Sequence, residues 1–119
     1  MARSLEIERL GALSGPGVLC LRGPLTLENL PPFQNAIRRE QRYQTMILDL
    51  TDVPYLDSSG LGSLVTTFVS RQKAGQQVAL SGVSDRVMKL FEITSVESLF
   101  LIFPTVDDAI AALTHAGQA

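Results

Sequence analysis

The order of apolar and polar residues divides the chain into short alternating elements. Leu5, Ile7 and Leu10 are interleaved with Ser4, Glu6 and Glu8, the alternation of a strand with one face toward solvent. Gly15-Pro16-Gly17 turns the chain, and Val18-Leu19-Cys20-Leu21 follows as a more apolar strand closed by Gly23-Pro24. So short a link predicts an antiparallel hairpin, because parallel neighbours need a long crossover. Leu30, Phe33 and Ile37 then recur at helical spacing, with Arg38, Arg39 and Arg42 tending to the other side. Pro31 and Pro32 are tolerated in the first turn, whose amides have no helical acceptor. Thr26 or Asn29 is the expected cap.

Met46-Ile47-Leu48-Asp49-Leu50 is nearly all apolar and predicts a central strand covered on both faces. The stretch from Thr51 to Asp57 reads as a loop pinned by Pro54. Leu61, Leu64, Val65, Phe68 and Val69 fall at i, i+3, i+4, i+7 and i+8 and predict a helix. Arg71 and Lys73 in its last turn and Gly75 just beyond are C-terminal signals. Val78-Ala79-Leu80 is a further strand, and Ser84 opens a short helix with Val87, Leu90 and Phe91 inward. Leu99 to Phe103 is the last predicted strand. Thr105 caps a final helix with Asp107 and Asp108 in its first turn and Ile110 and Leu113 facing the core. The predicted order is β-β-α-β-α-β-α-β-α: an α/β fold with a mostly parallel mixed sheet, an N-terminal β-hairpin, four helices and right-handed crossovers.

Length and composition sharpen this picture. The 119 residues are expected to form one domain over 1–119. A content of 45% hydrophobic and 18% charged residues is that of a folded chain, not a disordered one. The net charge of −2 argues against a nucleic-acid partner. No apolar run approaches the roughly 20 residues of a membrane helix, and the start Met1-Ala2-Arg3-Ser4-Leu5-Glu6 has no secretory pattern, so no membrane partner and a cytoplasmic location are expected. One cysteine rules out a disulfide framework within the chain. Cys20 reads as an inert core thiol, and His115, the single histidine, as a solvated end-cap. Asp49, Asp52 and Asp57 do not form the acidic set of a phosphoryl-accepting receiver, because neither opening strand ends in an acidic pair. Asp49 is expected to bond backbone at a sheet edge or loop. Neither metal nor cofactor is expected.

Candidate chemistry gathers in Leu56-Asp57-Ser58-Ser59-Gly60-Leu61-Gly62, which joins a buried strand to a buried helix. Ser58 lies at or next to the N-cap, where unpaired amides and the helix dipole favour an anion. Gly60 and Gly62 permit close approach of a backbone or ligand, and the junction lies at the carboxyl edge of the sheet. Taken alone, these residues fit ordinary capping and packing at least as well as a functional site.

The stretch Val53-Pro54-Tyr55-Leu56-Asp57-Ser58-Ser59-Gly60-Leu61-Gly62, preceded by Ile47-Leu48-Asp49-Leu50, closely resembles the motif of STAS domains. It is most similar to free-standing bacterial anti-sigma-factor antagonists of the sporulation and general-stress type. Ser84-Asp85-Arg86-Val87-Met88-Lys89-Leu90-Phe91-Glu92-Ile93-Thr94 also looks like the family's short helix after the fourth strand. The resemblance implies a non-enzymatic switch protein with Ser58 as phosphoacceptor. Its partners would be an anti-sigma factor with serine kinase activity, which the unphosphorylated form binds to free a sigma factor, and a phosphoserine phosphatase. The implied binding surface comprises Thr26, Asp52, Leu56, Asp57, Ser59, Gly60, Leu61 and Gly62. Gly23-Pro24-Leu25-Thr26 departs from the Gly-x-Leu-Asp pattern of many antagonists, because Thr26 stands at the place of the Asp. Two other readings use the same segment: a non-switching STAS scaffold in a signalling or lipid-transport assembly, and a nucleotide-binding domain, which here lacks a Gly-x-x-x-x-Gly-Lys-Ser/Thr loop.

Overall fold

Period-two alternation and parallel crossovers produce a five-stranded sheet in the order β1-β2-β3-β4-β5. The computed structural model describes residues 4–10 and 15–116, with side chains described to Leu113. Its elements are β1 (Glu6–Leu10), β2 (Gly17–Arg22), α1 (Leu30–Arg39), β3 (Thr45–Asp52), α2 (Ser58–Lys73), β4 (Gln77–Ser81), α3 (Asp85–Ile93), β5 (Ile102–Phe103) and α4 (Val106–Ala116). Only β1 is antiparallel, in register Glu6↔Arg22 to Leu10↔Val18. The other neighbours are parallel. The predicted order of strands and helices is therefore the observed one.

Alternation along β2 and β3 sends side chains to two cores. Leu19, Leu21, Leu48 and Leu50 pack with Phe33, Leu64, Phe68 and Phe91 from α1, α2 and α3. Val18, Cys20 and Ile47 pack with Ala109 and Leu113 of α4. Each fully buried side chain of this size contributes roughly 1.5–3 kcal/mol. Phe100 joins the larger core between Phe68 and Phe91, with ring centroids 4.5 and 4.8 Å away.

Several sequence expectations are corrected. Leu10 is exposed, since three residues from Ile7 is out of phase with a period of two. Thr51 and Asp52 extend β3 instead of opening the loop. The last strand is only Ile102–Phe103. Leu99 belongs to a 3-10 turn at Glu97–Leu99, Leu99 and Leu101 are exposed, and Pro104 follows without an amide to donate. Neither Thr26 nor Asn29 makes a side-chain cap; Asn29 Nδ2 donates instead to Pro24 O at 2.8 Å. Thr105 does cap α4, accepting from Asp108 N–H at 3.1 Å. His115 is in the last turn of α4, but its side chain lies outside the described residues.

The buried stripe of α2 also differs. Val69 is 38% exposed, whereas Thr67 and Arg71 are buried beside Leu64 and Phe68. An apolar count overlooks Arg71 because its value here is polar. Its Nη2 donates to Tyr43 O at 2.6 Å, and its Nε to Gln77 O at 3.2 Å, while its stem is buried in the helix layer.

Helix α3 closes with a Schellman turn. Val96 N–H reaches Phe91 O at 3.0 Å and Ser95 N–H reaches Glu92 O at 3.1 Å. Ser95 adopts φ of 60°, a conformation that costs a non-glycine residue about 1–2 kcal/mol. Ser95→Gly removes that strain against about 0.5–1 kcal/mol of extra unfolded-chain entropy. The expected net gain is about 0.5 kcal/mol in urea denaturation, and a loss of stability contradicts the assignment.

Candidate functional site

The ends of β2 and β3 are tied together beneath the start of α2. Gly23 N–H donates to Asp52 O at 3.0 Å, Leu25 N–H to Tyr55 O at 3.2 Å, and Asp57 N–H to Leu25 O at 3.3 Å. Leu25 and Leu56 form an isolated parallel bridge. These bonds bring the segment around Thr26 against the segment around Ser58, although they are far apart in the chain.

Asp57 is the N-cap of α2 and serves both segments. Its Oδ1 accepts from Gly60 N–H at 2.8 Å, and its Oδ2 accepts from Leu27 N–H at 3.0 Å. The Gly60 amide is the largest cause holding the Asp57 carboxyl below its ordinary range, with the Leu27 and Ser59 amides adding to it against desolvation. Ser58 is therefore the first helical residue, and it is exposed. Ser59 is half-buried beside it. An exposed hydroxyl on a pinned helix start can be reached by another protein and, once phosphorylated, lies at the positive end of the α2 dipole.

The other predicted site residues separate. Thr26 is half-exposed and Gly62 exposed, while Leu61 is half-buried and packs on the core. Leu56 is 8% exposed and belongs to the core. Gly60 is buried, and a Cβ there would lie 2.0 Å from Leu25 O. Gly60 is thus enclosed against the Leu25 backbone, and Leu56 is mostly enclosed by the core. Asp52 ends β3 and faces Arg22, with Oδ2 at 3.7 Å from Nε. Asp49 is on the central strand, not at an edge or loop. As expected, it accepts from a backbone amide, Thr51 N–H at 3.4 Å, and its Oδ1 also accepts from the hydroxyls of Thr51 at 2.7 Å and Ser81 at 3.1 Å. Cys20 is buried, and burial followed by the Asp49 charge pushes its thiol up to about 11.

Sequence reading did not single out the apolar residues flanking this site. Leu27 is 64% exposed next to the Asp57 bond, and Ile93 is 72% exposed in a hollow that it shares with Tyr55, Leu56 and Leu90. Arg86 lies over the Tyr55 ring at 5.1 Å. Ile93 falls outside the inward stripe of Val87, Leu90 and Phe91, although it lies within the stretch that resembles the family's short helix.

Asp57→Ala removes one acceptor from two amides. The expected loss is about 1–2 kcal/mol near neutral pH. Because the folded carboxyl titrates below its unfolded value, its contribution is full above the unfolded value and lost as pH falls through the folded one. The penalty of Asp57→Ala in urea denaturation should shrink on acidification; a pH-independent penalty contradicts the capping role.

Comparison with known proteins agrees with this geometry. The family model described as STAS domain matches residues 7–109. An anti-sigma-B factor antagonist of Listeria monocytogenes is 35% identical over 82 residues, covering 67% of this chain and 72% of the relative. An anti-sigma factor antagonist of Mycobacterium paratuberculosis superposes with a TM-score of 0.81 at 22% identity, covering 94% of this chain and 97% of the other. SpoIIAA in its unphosphorylated form gives a TM-score of 0.77 at 18% identity over 92% of this chain and 97% of the other. The phosphorylated Bacillus SpoIIAA gives 0.70 at 17% identity over 91% and 99%. Among the described residues no helix is long and apolar enough to cross a membrane. With the family model spanning most of the chain and the sheet, helices and Asp57-capped helix start in place, the chain belongs to the STAS-domain family.

Proposed function

We propose that this protein is an anti-sigma-factor antagonist that works by partner switching, a kinase substrate and not an enzyme. Unphosphorylated, it binds an anti-sigma factor and so releases a sigma factor. The serine kinase activity of that anti-sigma factor phosphorylates Ser58 and ends the complex, and a phosphoserine phosphatase restores it. The observation that carries this reading is the exposed Ser58 on the Asp57-capped start of α2. The names of the relatives and the two phosphorylation states of SpoIIAA support it.

The physics of the switch is local. A phosphate adds about −1.5 to −2 charge at neutral pH next to the Asp57 carboxylate. A partner surface fitted to a neutral hydroxyl meets like charge, at a cost of several kcal/mol across an interface. About 2.7 kcal/mol is a hundredfold in affinity, so occupancy changes without refolding. Thr26 retains a hydroxyl where many antagonists carry Asp, which leaves the site one charge less acidic and gives the partner a different surface to match.

Incubation with an anti-sigma kinase and ATP, followed by intact-mass measurement, tests the reading. One added phosphate is expected, and none on Ser58→Ala, which still binds. Ser58→Asp should weaken binding by roughly a hundredfold. A non-switching scaffold gains no phosphate, and phosphorylation of Ser58→Ala at the normal rate on another residue overturns the assignment. ATP or GTP turnover by the protein alone favours the nucleotide-binding reading.

A further inference from the structure

A groove of about 620 Å³ runs between α1 and α2, within the roughly 300–1,000 Å³ of small-molecule sites. Leu30 and Ile37, backed by the buried Phe33, give it an apolar wall. Its charged lining residues are Arg38 and Arg71, and none of its lining residues is Asp or Glu. The groove is therefore positive in a chain whose net charge is −2.

Arg71 is only 4% exposed. Carbonyls of Tyr43 and Gln77 take its Nε and Nη2. Among the described residues no carboxylate forms an ion pair with it, and Glu40, bonded to Arg9, acts on it only at a distance. Carbonyls satisfy donors but do not neutralise charge, so the guanidinium still attracts an anion. Arg38 is exposed, and its side chain has one weak contact, to Asn35 Oδ1 at 3.4 Å. A purely structural role for Arg71 accounts for the carbonyl bonds. It does not account for the second arginine or for the acid-free lining. Ser63, Thr66 and Ser70 on the α2 side are neutral hydroxyls that can donate to an oxyanion.

We propose that the α1–α2 groove binds an amphiphilic organic anion, with its head group at Arg38 and Arg71 and its apolar body along Leu30 and Ile37. From Leu30 to Arg38 the helix rises about 12 Å, which suits a medium-length chain. A carboxylate and a phosphate monoester share the required chemistry. The site is distinct from the Ser58 hydroxyl, although Ser59 borders the groove, so an occupant would abut the start of α2.

Titration of the full chain with octanoate, octyl phosphate and the uncharged octyl glucoside, followed by amide and methyl NMR shifts, tests the proposal. Both anions should give saturable shifts at Leu30, Ile37 and Thr66, with the glucoside at least about tenfold weaker. The tighter of the two anions identifies the head group. Arg38→Gln, an exposed substitution, should weaken the anions about tenfold while leaving the thermal midpoint unchanged. Equal binding of the glucoside, shifts that gather elsewhere, no saturable shifts, or an Arg38→Gln protein that binds as well as the parent each overturns it.

Discussion

Gly60→Ala should lose about 3 kcal/mol of stability or more, whereas Gly62→Ala, two residues along the same helix turn, should gain about 0.5–1 kcal/mol. A Cβ at Gly60 meets Leu25 O at 2.0 Å and Leu25 C at 2.8 Å. Neither atom belongs to a flexible side chain. Leu25 is fully buried, and its backbone bonds Tyr55 O and Asp57 N–H. Relief therefore requires the Leu25 segment and α2 to separate, which strains the bond from Asp57 N–H to Leu25 O and the bond from Leu27 N–H to Asp57 Oδ2. At Gly62 nothing lies within 4 Å of the added atom, so only the helix propensity of alanine is felt. Urea denaturation of both variants is the measurement. Equal effects would mean that the approach of Leu25 to α2 is not as described. The same contact holds the start of α2, so the proposed phosphorylation of Ser58 should be altered in Gly60→Ala as well.

Arg9→Met should cost about 3 kcal/mol, and most of that loss should return in the double variant Arg9→Met/Glu40→Leu. Arg9 Nε and Glu40 Oε1 are 2.9 Å apart, with the Glu40 side chain only 5% exposed. The Arg9 guanidinium also lies 4.7 Å from the Tyr43 ring centre. The pair fastens edge strand β1 to the C-terminal end of α1. Removing the arginine leaves a carboxylate in the interior without its ion-pair partner. Glu40 Oε2 is already without a hydrogen bond among the described residues. Glu40→Leu alone should cost less than Arg9→Met, because Arg9 is 29% exposed and can turn toward water. Double-mutant analysis of denaturation midpoints checks the coupling. Strictly additive losses would show that the two side chains do not depend on each other.

Much of the architecture is legible in residue order. The hairpin, the apolar β3, the helix after Ser58, the Ser84 and Thr105 caps and the order of all nine elements follow from local periodicity and capping chemistry. So does the exposed position of Ser58, since a strand-to-helix junction at a sheet edge faces outward. Failures occur where one periodic pattern meets two environments. Leu99 and Leu101 are as apolar as a core strand, yet they border an edge pairing only two residues long. Val69 matches the α2 stripe but faces away from it, because Arg71 and Thr67 take buried positions.

By itself, the sequence determined an α/β chain with a serine at a helix start, because hydrogen-bonding geometry and periodicity act over a few residues. Only the tertiary structure decided that Asp57 is the cap joining two segments, that Gly60 abuts the Leu25 backbone while Gly62 faces open space, and that Arg9 meets Glu40. Those outcomes depend on which backbones approach one another across the fold, and that distance is set by the packing of whole layers, not by the residues beside each position.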